Sequence, residues 1–266
     1  MYLQNVMNRI LMLLAIIVFS AILVSAQDDT GRYEVEGVHR YEVVVGDFNR
    51  LKITNDLNVE YVLNPDSAGV AVFYTTREKV NSILFSNKKS RLVIEVSTEN
   101  AIKPRDLPVV RVYSSEIEEL ENDADSTLRV FNVVQPDKKL KLRLSDNGKI
   151  ISHGIGVKEV EASILTGKGL VILSGKCDKA NLRCTGTGEI QADELDAVDV
   201  DCMILGTGTI GCWPNGGKLT IKGSGTGKVY YKGMPSEIKS YQLGKIKAIP
   251  LRNVENGNQD DAGNDA

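Results

Sequence analysis

Beyond residue 138 the sequence repeats with a period near 20, and that repeat constrains the fold more than any other feature. Leu140/Leu142/Leu144 returns as Val160/Ala162/Ile164, then as Ala180/Leu182/Cys184, then as Val200/Cys202/Ile204. Seventeen residues further on, Gly217/Leu219/Ile221 continues the series with a shortened turn. Each run alternates apolar and polar residues, the pattern of a half-buried strand, and helical spacing is nearly absent after residue 26. Short strands at a fixed period of 20 predict a solenoid, in which no coil buries its apolar face without its neighbours. Parallel crossovers within one sheet are almost always right-handed. The expected fold is therefore all-β: a right-handed, single-stranded parallel β-helix, its five regular coils spanning about 25 Å.

In this reading Leu142, Ala162, Leu182, Cys202 and Leu219 stack in one inward column. Leu144, Ile164, Cys184, Ile204 and Ile221 stack in the next. Glycines mark the corners: Gly167-Lys168-Gly169, Gly186-Thr187-Gly188, Gly206-Thr207-Gly208 and Gly223-Ser224-Gly225 each end one strand. Each precedes a second alternating run, at Val171/Leu173, Ile190/Ala192, Ile210/Cys212 and Val229/Tyr231. Glycine reaches φ > 0 cheaply and lets neighbouring backbones pass about 4.8 Å apart.

The last corner belongs to GSGTGK (223–228), which invites comparison with a phosphate cradle. The positions that a P-loop fills with glycine and a hydroxyl hold Lys222 and Val229. G-x-G-x-x-G fails at Lys228 and Tyr230, and no helical pattern follows to hold an anion. The run is a corner, and no nucleotide or other cofactor is expected.

The chain has 266 residues and a formal charge of −3, too small a bias to steer nucleic acid. Ile10–Val24 is a nearly unbroken apolar run of 15 residues behind Arg9 and ahead of Ser25-Ala26. That is the length of a signal-peptide core, short of the roughly 20 residues that a membrane helix needs. Residues 1–26 are thus expected to be a signal peptide cleaved after Ala26, with an uncleaved N-terminal anchor as the alternative. The exported chain would be periplasmic, outer-membrane-associated or at the cell surface, with no membrane contact after cleavage. An N-terminal extension (27–40) leads into a solenoid domain at 41–250, with regular coils from about 139. The polar tail at 251–266 has too little to bury and is expected to be disordered.

Cys184 and Cys202 point inward but are offset by one coil and two residues, about 8 Å and beyond disulfide reach. Cys177 and Cys212 have no evident partner, so all four are expected as core thiols. No C-x-x-C occurs, and His39 and His153 lack ligand-like companions, which leaves no metal site. No serine or cysteine nucleophile has a histidine–acid pair.

Asp199 and Asp201, in DELDAVDVD (193–201), face outward as catalytic carboxylates of glycan-cleaving solenoids do. Their stacked neighbours favour a different role. One expected column reads Lys139, Glu159, Lys179, Asp199; the next reads Lys141, Glu161, Asn181, Asp201, Lys218. Opposite charges on adjacent strands stabilise by about 0.2–1 kcal/mol per pair and penalise a slipped register. No catalytic residue is assigned, and glycan cleavage stands as the alternative. Trp213 reads as a cover for the core edge in preference to a sugar platform, as do Tyr230 and Tyr241.

The first half is strand-rich but less regular. Leu51/Ile53, Val59/Tyr61/Leu63, Val70/Val72, Leu92/Ile94/Val96, Val110/Val112 and Leu128/Val130 mark strands, with 77–84 a short helix or loop. It reads as earlier, longer coils merging into the stack. At the other end, Pro235, Lys245, Lys247 and Pro250 are placed to blunt the terminal edge.

From Gly46 to Ile249 the sequence resembles the family of putative auto-transporter adhesin, head GIN domain proteins. The resemblance rests on Gly46-Asp47-Phe48 with Leu51 and Ile53, on Val59 and Tyr61 after a tight turn, and on the Gly-x-Gly corners. The closing run GTGKVYYKGMP (225–235) completes it, while Asn55-Asp56 stands where the family usually has a glycine turn. It implies an exported β-helix with an adhesive or surface-interaction role toward an unknown glycan or protein, and it transfers no catalytic residues. The expected function is non-enzymatic, with a purely structural envelope component as a further alternative.

Overall fold

The computed structural model describes residues 37–97 and 103–251. The expected signal peptide, residues 27–36 of the extension and the tail beyond Leu251 lie outside the described residues. The first strands are β1 (His39–Val44), β2 (Arg50–Thr54), β3 (Val59–Leu63), β4 (Val70–Thr75), β5 (Ile83–Lys88) and β6 (Arg91–Val96). Then come β7 (Val110–Ser114), β8 (Glu119–Asp123), β9 (Thr127–Phe131), β10 (Val134–Ser145), β11 (Lys149–Ile164) and β12 (Leu170–Gly186). The chain closes with β13 (Glu189–Gly206), β14 (Thr209–Pro214), β15 (Lys218–Gly225), β16 (Lys228–Tyr231), β17 (Glu237–Gly244) and β18 (Lys247–Pro250).

These strands wind a parallel β-solenoid of about seven turns. The long strands run round corners. Residues 149–153 of β11 lie in one sheet, here sheet B, and residues 159–164 lie in a second, sheet A. Between them 155–157 form a short third side, repeated at 175–177 and 195–197, which the strand pattern alone did not separate. Cys184 pairs with Ile204 in a parallel ladder, as the period of 20 demands.

The register of the last coils differs from the sequence reading. Ala192 pairs with Cys212 but Asp196 with Trp213, so three residues of the upper coil have no counterpart below. Ala197 then pairs with Pro214 and Val200 with Leu219, so two residues return at Asn215-Gly216-Gly217. The offset therefore falls from 20 to 17 on the third side and recovers to 19 in sheet A. Ile221, not Leu219, sits beneath Cys202, and Gly223 lies opposite Ile204 within the strand. The same two-residue correction moves the corner of GSGTGK to Gly225-Thr226-Gly227.

The corner column is Gly167, Gly186, Gly206, Gly225 and Gly244, all with positive φ. A Cβ on Gly206 would stand 2.5 Å from the Gly186 carbonyl oxygen. Both reasons for glycine, the left-handed turn and the close passage of backbones, act at the same residue.

The first half is not a simple run of earlier coils. Sheet A is ordered β5-β6-β2-β8-β10, and sheet B β1-β4-β7-β3-β9-β11. The chain lays down β2–β3, reverses through antiparallel β4 and β5, adds β6–β7 outside them, then steps over β2–β3 to start β8. Antiparallel β1, β4 and β5 cover edges that the outermost coil would otherwise present. Segment 77–84 holds a 3₁₀ turn at Val80–Ser82 and the start of β5. Asn55 takes the glycine role at its turn, with φ of 63°.

The core runs the length of the solenoid. Leu51, Leu92, Leu120, Leu142, Leu182 and Ile204 are among its buried members, each burial stabilising by about 1.5–3 kcal/mol. In β4 the buried positions are Ala71, Phe73 and Thr75. Val70 and Val72 face outward instead, the opposite parity to a core pair.

Candidate interaction face

The outward surface of sheet A is a lattice of paired charges. With the corrected register one column reads Lys139, Glu159, Lys179, Asp199, Lys218, Glu237, alternating in sign throughout. Lys218 thus belongs beside Asp199, and Thr220 stands beneath Asp201. Lys139 Nζ reaches Glu159 at 3.0 Å and Glu161 at 2.8 Å, and Lys218 meets Glu237 at 3.7 Å. Bonding to Glu161 holds the Lys139 ammonium above its ordinary range, and Lys139 in turn holds the Glu161 carboxyl below its own. Nearer the N-terminal end, Lys52 bonds Glu121 at 2.9 Å and Asp123 at 3.0 Å, which raises its pKa in the same way.

The candidate carboxylates are consumed by this lattice. Asp199 Oδ1 accepts the Lys218 backbone N–H at 2.7 Å, and Asp201 Oδ2 pairs with Lys179 at 3.3 Å. No cluster of three metal-ligating side chains exists among the described residues. Trp213 is half-buried, with the Lys232 ammonium 4.3 Å from its ring centroid and Gly233 against its pyrrole edge. It faces outward between the buried Cys212 and Pro214 and is not among the half-buried side chains packed on the core, so the expected cover for the core edge is not seen. Tyr230 is half-buried on the same sheet face, Tyr241 is exposed on β17, and His39 and His153 are exposed.

The cysteines are four free, buried thiols. Burial pushes Cys177 up to about 12, and burial likewise raises Cys184. Cys212, for which the repeat offered no partner, has one in the fold: its sulfur lies 3.9 Å from that of Cys202.

Sheet B is different in character. Strand pairing aligns Val44 with Val70, Val62 with Tyr113, and Val62 with Phe131. The β4–β7 register, Ala71 against Val112, continues to Val70 against Tyr113. One outward row therefore crosses five adjacent strands as Val44, Val70, Tyr113, Val62 and Phe131, and ends at His153. Ile151 and Ile172, paired on the next strands, carry apolar surface further. Val44 is 83% exposed, and Val70, Tyr113, Val62 and Phe131 are half-buried. A groove of about 220 Å³ opens at its N-terminal end, lined by Arg40, Glu42, Asp66, Val70, Val72 and Tyr113. Arg111 flanks the row and donates to Glu60 Oε2 at 2.6 and 2.8 Å, which raises the guanidinium pKa. Sequence reading missed this row because its members come from five separate segments; only the odd apolar pair Val70/Val72 hinted at it.

Gly46-Asp47-Phe48 has a structural role. Asp47 binds Ser115, Asn87 Nδ2 donates to the carbonyls of Val45, Gly46 and Asp47 at 3.0 Å each, and Phe48 is buried. The motif anchors the entry to β2 and carries no chemistry of its own.

No curated protein matches the sequence. Among solved structures, a putative adhesin from Bacteroides fragilis is similar with a TM-score of 0.69 at 18% identity, over 82% of this chain and 98% of that one. A putative adhesin from Parabacteroides merdae gives 0.59 at 18%, over 80% and 97%. A putative lipid binding protein from Parabacteroides distasonis gives 0.61 at 17%, also over 80% and 97%. At these identities the likeness carries the fold alone. The profile of the family described as "Putative auto-transporter adhesin, head GIN domain" matches residues 47–235, most of the chain. The chain belongs to the putative auto-transporter adhesin, head GIN domain family.

Proposed function

We propose that this protein is exported and acts without catalysis as an adhesin-like module, binding a glycan or protein partner through the outward face of sheet B. The observation that carries this reading is the row Val44, Val70, Tyr113, Val62, Phe131. Apolar side chains on five hydrogen-bonded strands form a surface whose spacing the backbone fixes, which lowers the ordering cost of its use. A partner gains by covering it, and Tyr113 and Phe131 supply rings of the kind that dominate binding energies. Sheet A supports the non-enzymatic half of the reading, since Asp199 and Asp201 are engaged by Lys218 and Lys179. Export is supported by the apolar run at Ile10–Val24 and by kinship with adhesin head domains.

The test uses the purified chain on glycan and protein arrays, with Tyr113→Asp and Phe131→Asp variants compared after thermal unfolding confirms their fold. A hit lost in both folded variants supports the reading. Binding that survives both substitutions, or the absence of any binder on either array, overturns it.

A further inference from the structure

Cys202 and Cys212 face one another inside the solenoid. Cys202 lies on β13 in sheet A, Cys212 on β14 in sheet B, ten residues on across the corner at Gly206-Thr207-Gly208. They are 1% and 0% exposed, and their Sγ atoms are 3.9 Å apart. The repeat compares residues one coil apart, whereas these two share a coil, which is why the sequence pattern conceals them. The other thiols are separately placed: Cys184 donates to the Gly188 carbonyl at 3.2 Å, and Cys177 lies on the third side.

We propose that Cys202 and Cys212 become a disulfide when the chain folds in the presence of a disulfide oxidant, fastening sheet A to sheet B. In the exchange, the thiolate of one cysteine attacks the oxidant's S–S bond and forms a mixed disulfide, releasing one oxidant sulfur as a thiol. The second thiolate attacks the protein sulfur of that intermediate, closing Cys202–Cys212 and expelling the other oxidant sulfur. Two electrons pass from the cysteine pair to the oxidant, whose two sulfurs leave as thiols carrying the two cysteine protons.

The gap must close from 3.9 Å to about 2.05 Å, by rotation about both Cα–Cβ bonds and a small approach of the strands. The place suits this. Between Cys212 and Trp213 the coil omits the counterparts of Asp193, Glu194 and Leu195 in the coil above, so its path beside Cys212 is shorter than that coil's. Timing also follows from the structure. The neighbouring Cys212 thiol and burial both hold the Cys202 thiol in its protonated form, and neither sulfur is open to solvent. Exchange therefore precedes closure of this coil, and the redox state met during folding is retained afterwards. In the cell the oxidant is met on export, so that part rests on the proposed function.

The experiment keeps the two apart. The full chain, reduced in guanidinium, is refolded in mixed reduced and oxidised glutathione, or in reductant alone. Each sample is then alkylated in denaturant and weighed intact. After glutathione refolding we expect two of the four cysteines labelled, a mass lower by two hydrogens before labelling, and a thermal midpoint above that of the reduced form. Cys202→Ala and Cys212→Ala, which keep the core apolar, should each label at all three remaining cysteines, while Cys184→Ala should keep the bridge. Four labels on the glutathione-refolded chain, or a bridge surviving Cys202→Ala, overturns the proposal. A bridge formed in glutathione but missing from protein isolated from its own cells upholds the pair and overturns the export reading.

Discussion

Asp47 holds Ser115 from 68 residues away, accepting its backbone N–H at Oδ1, 3.1 Å distant, and its hydroxyl at Oδ2. The bond sits where the chain leaves β7 and steps over the β2–β3 coil to begin β8. The Glu118 N–H also lands nearby, on the Asn49 carbonyl at 2.8 Å. The residues that carry the family resemblance at the N-terminal end thus fasten the one place where coil order and sequence order disagree.

Replacing Asp47 by alanine should loosen that crossover. The carboxylate is largely exposed, so solvent screening limits the loss to about 1 kcal/mol. Burial alone would raise its pKa, but the bonds from Ser115 and Phe48 outweigh burial and hold it below the ordinary carboxylate value. A depressed folded pKa stabilises above the unfolded value and loses that contribution as pH falls through the folded one. The melting-temperature gap between wild type and Asp47→Ala should be full at neutral pH and should close below about pH 4. A gap independent of pH would remove the carboxylate from this role.

Two glycine substitutions separate the backbone turn from the stacking of corners. Gly216 has φ of 85° and open space where a Cβ would go, so Gly216→Ala carries only the left-handed penalty of about 1–2 kcal/mol. Gly225 has φ of 126°, and a Cβ there would overlap the Gly206 carbonyl oxygen. Gly225→Ala should cost about 3 kcal/mol or more, since backbone must shift as well. Denaturant unfolding of both variants measures the difference; equal costs would mean the coils are free to spread.

The repeat made most of the regular solenoid legible. Alternation with period 20 is enough to place Leu142 over Ala162 and Cys184 over Ile204, because identical coils must stack in register. It failed where coils are unequal: the loss of three residues beside Cys212 and the return of two at Asn215–Gly217 nearly cancel within a few positions. A spacing of 17 is true of Trp213 and false of Leu219. The insertion of β2–β3 between later strands left no local trace, since alternation fixes which face a residue takes and not which strand lies beside it. The outward row from Val44 to Phe131 was hidden for the same reason.

The alternating column on sheet A predicts a salt-sensitive variant. Lys179→Glu would put a carboxylate between Glu159 and Asp199, making three acids in succession where opposite charges now alternate. The expected loss is about 1 kcal/mol at low salt, from like charges on adjacent strands. It should shrink by 0.5 M salt, where screening acts within about 4–5 Å. A loss insensitive to salt would make the column incidental.

Tyr61 and Ser114 form a buried pair whose two partners are not equivalent. Tyr61 is fully buried, and its hydroxyl lies 2.8 Å from Ser114 Oγ, which itself donates to the Glu116 carbonyl at 2.7 Å. Because the serine proton is committed to Glu116, Tyr61 is the donor to Ser114. Tyr61→Phe removes that donor but leaves the serine bonded to Glu116, an expected cost of about 1 kcal/mol. Ser114→Ala strands the tyrosine hydroxyl in the core without an acceptor and frees the Glu116 carbonyl, an expected cost of about 2–3 kcal/mol. The double variant has no buried hydroxyl left to satisfy and should be no worse than Ser114→Ala alone. Urea unfolding of the three chains gives the order directly. If Tyr61→Phe proves the costlier single change, the proton runs the other way and Ser114 donates to Tyr61.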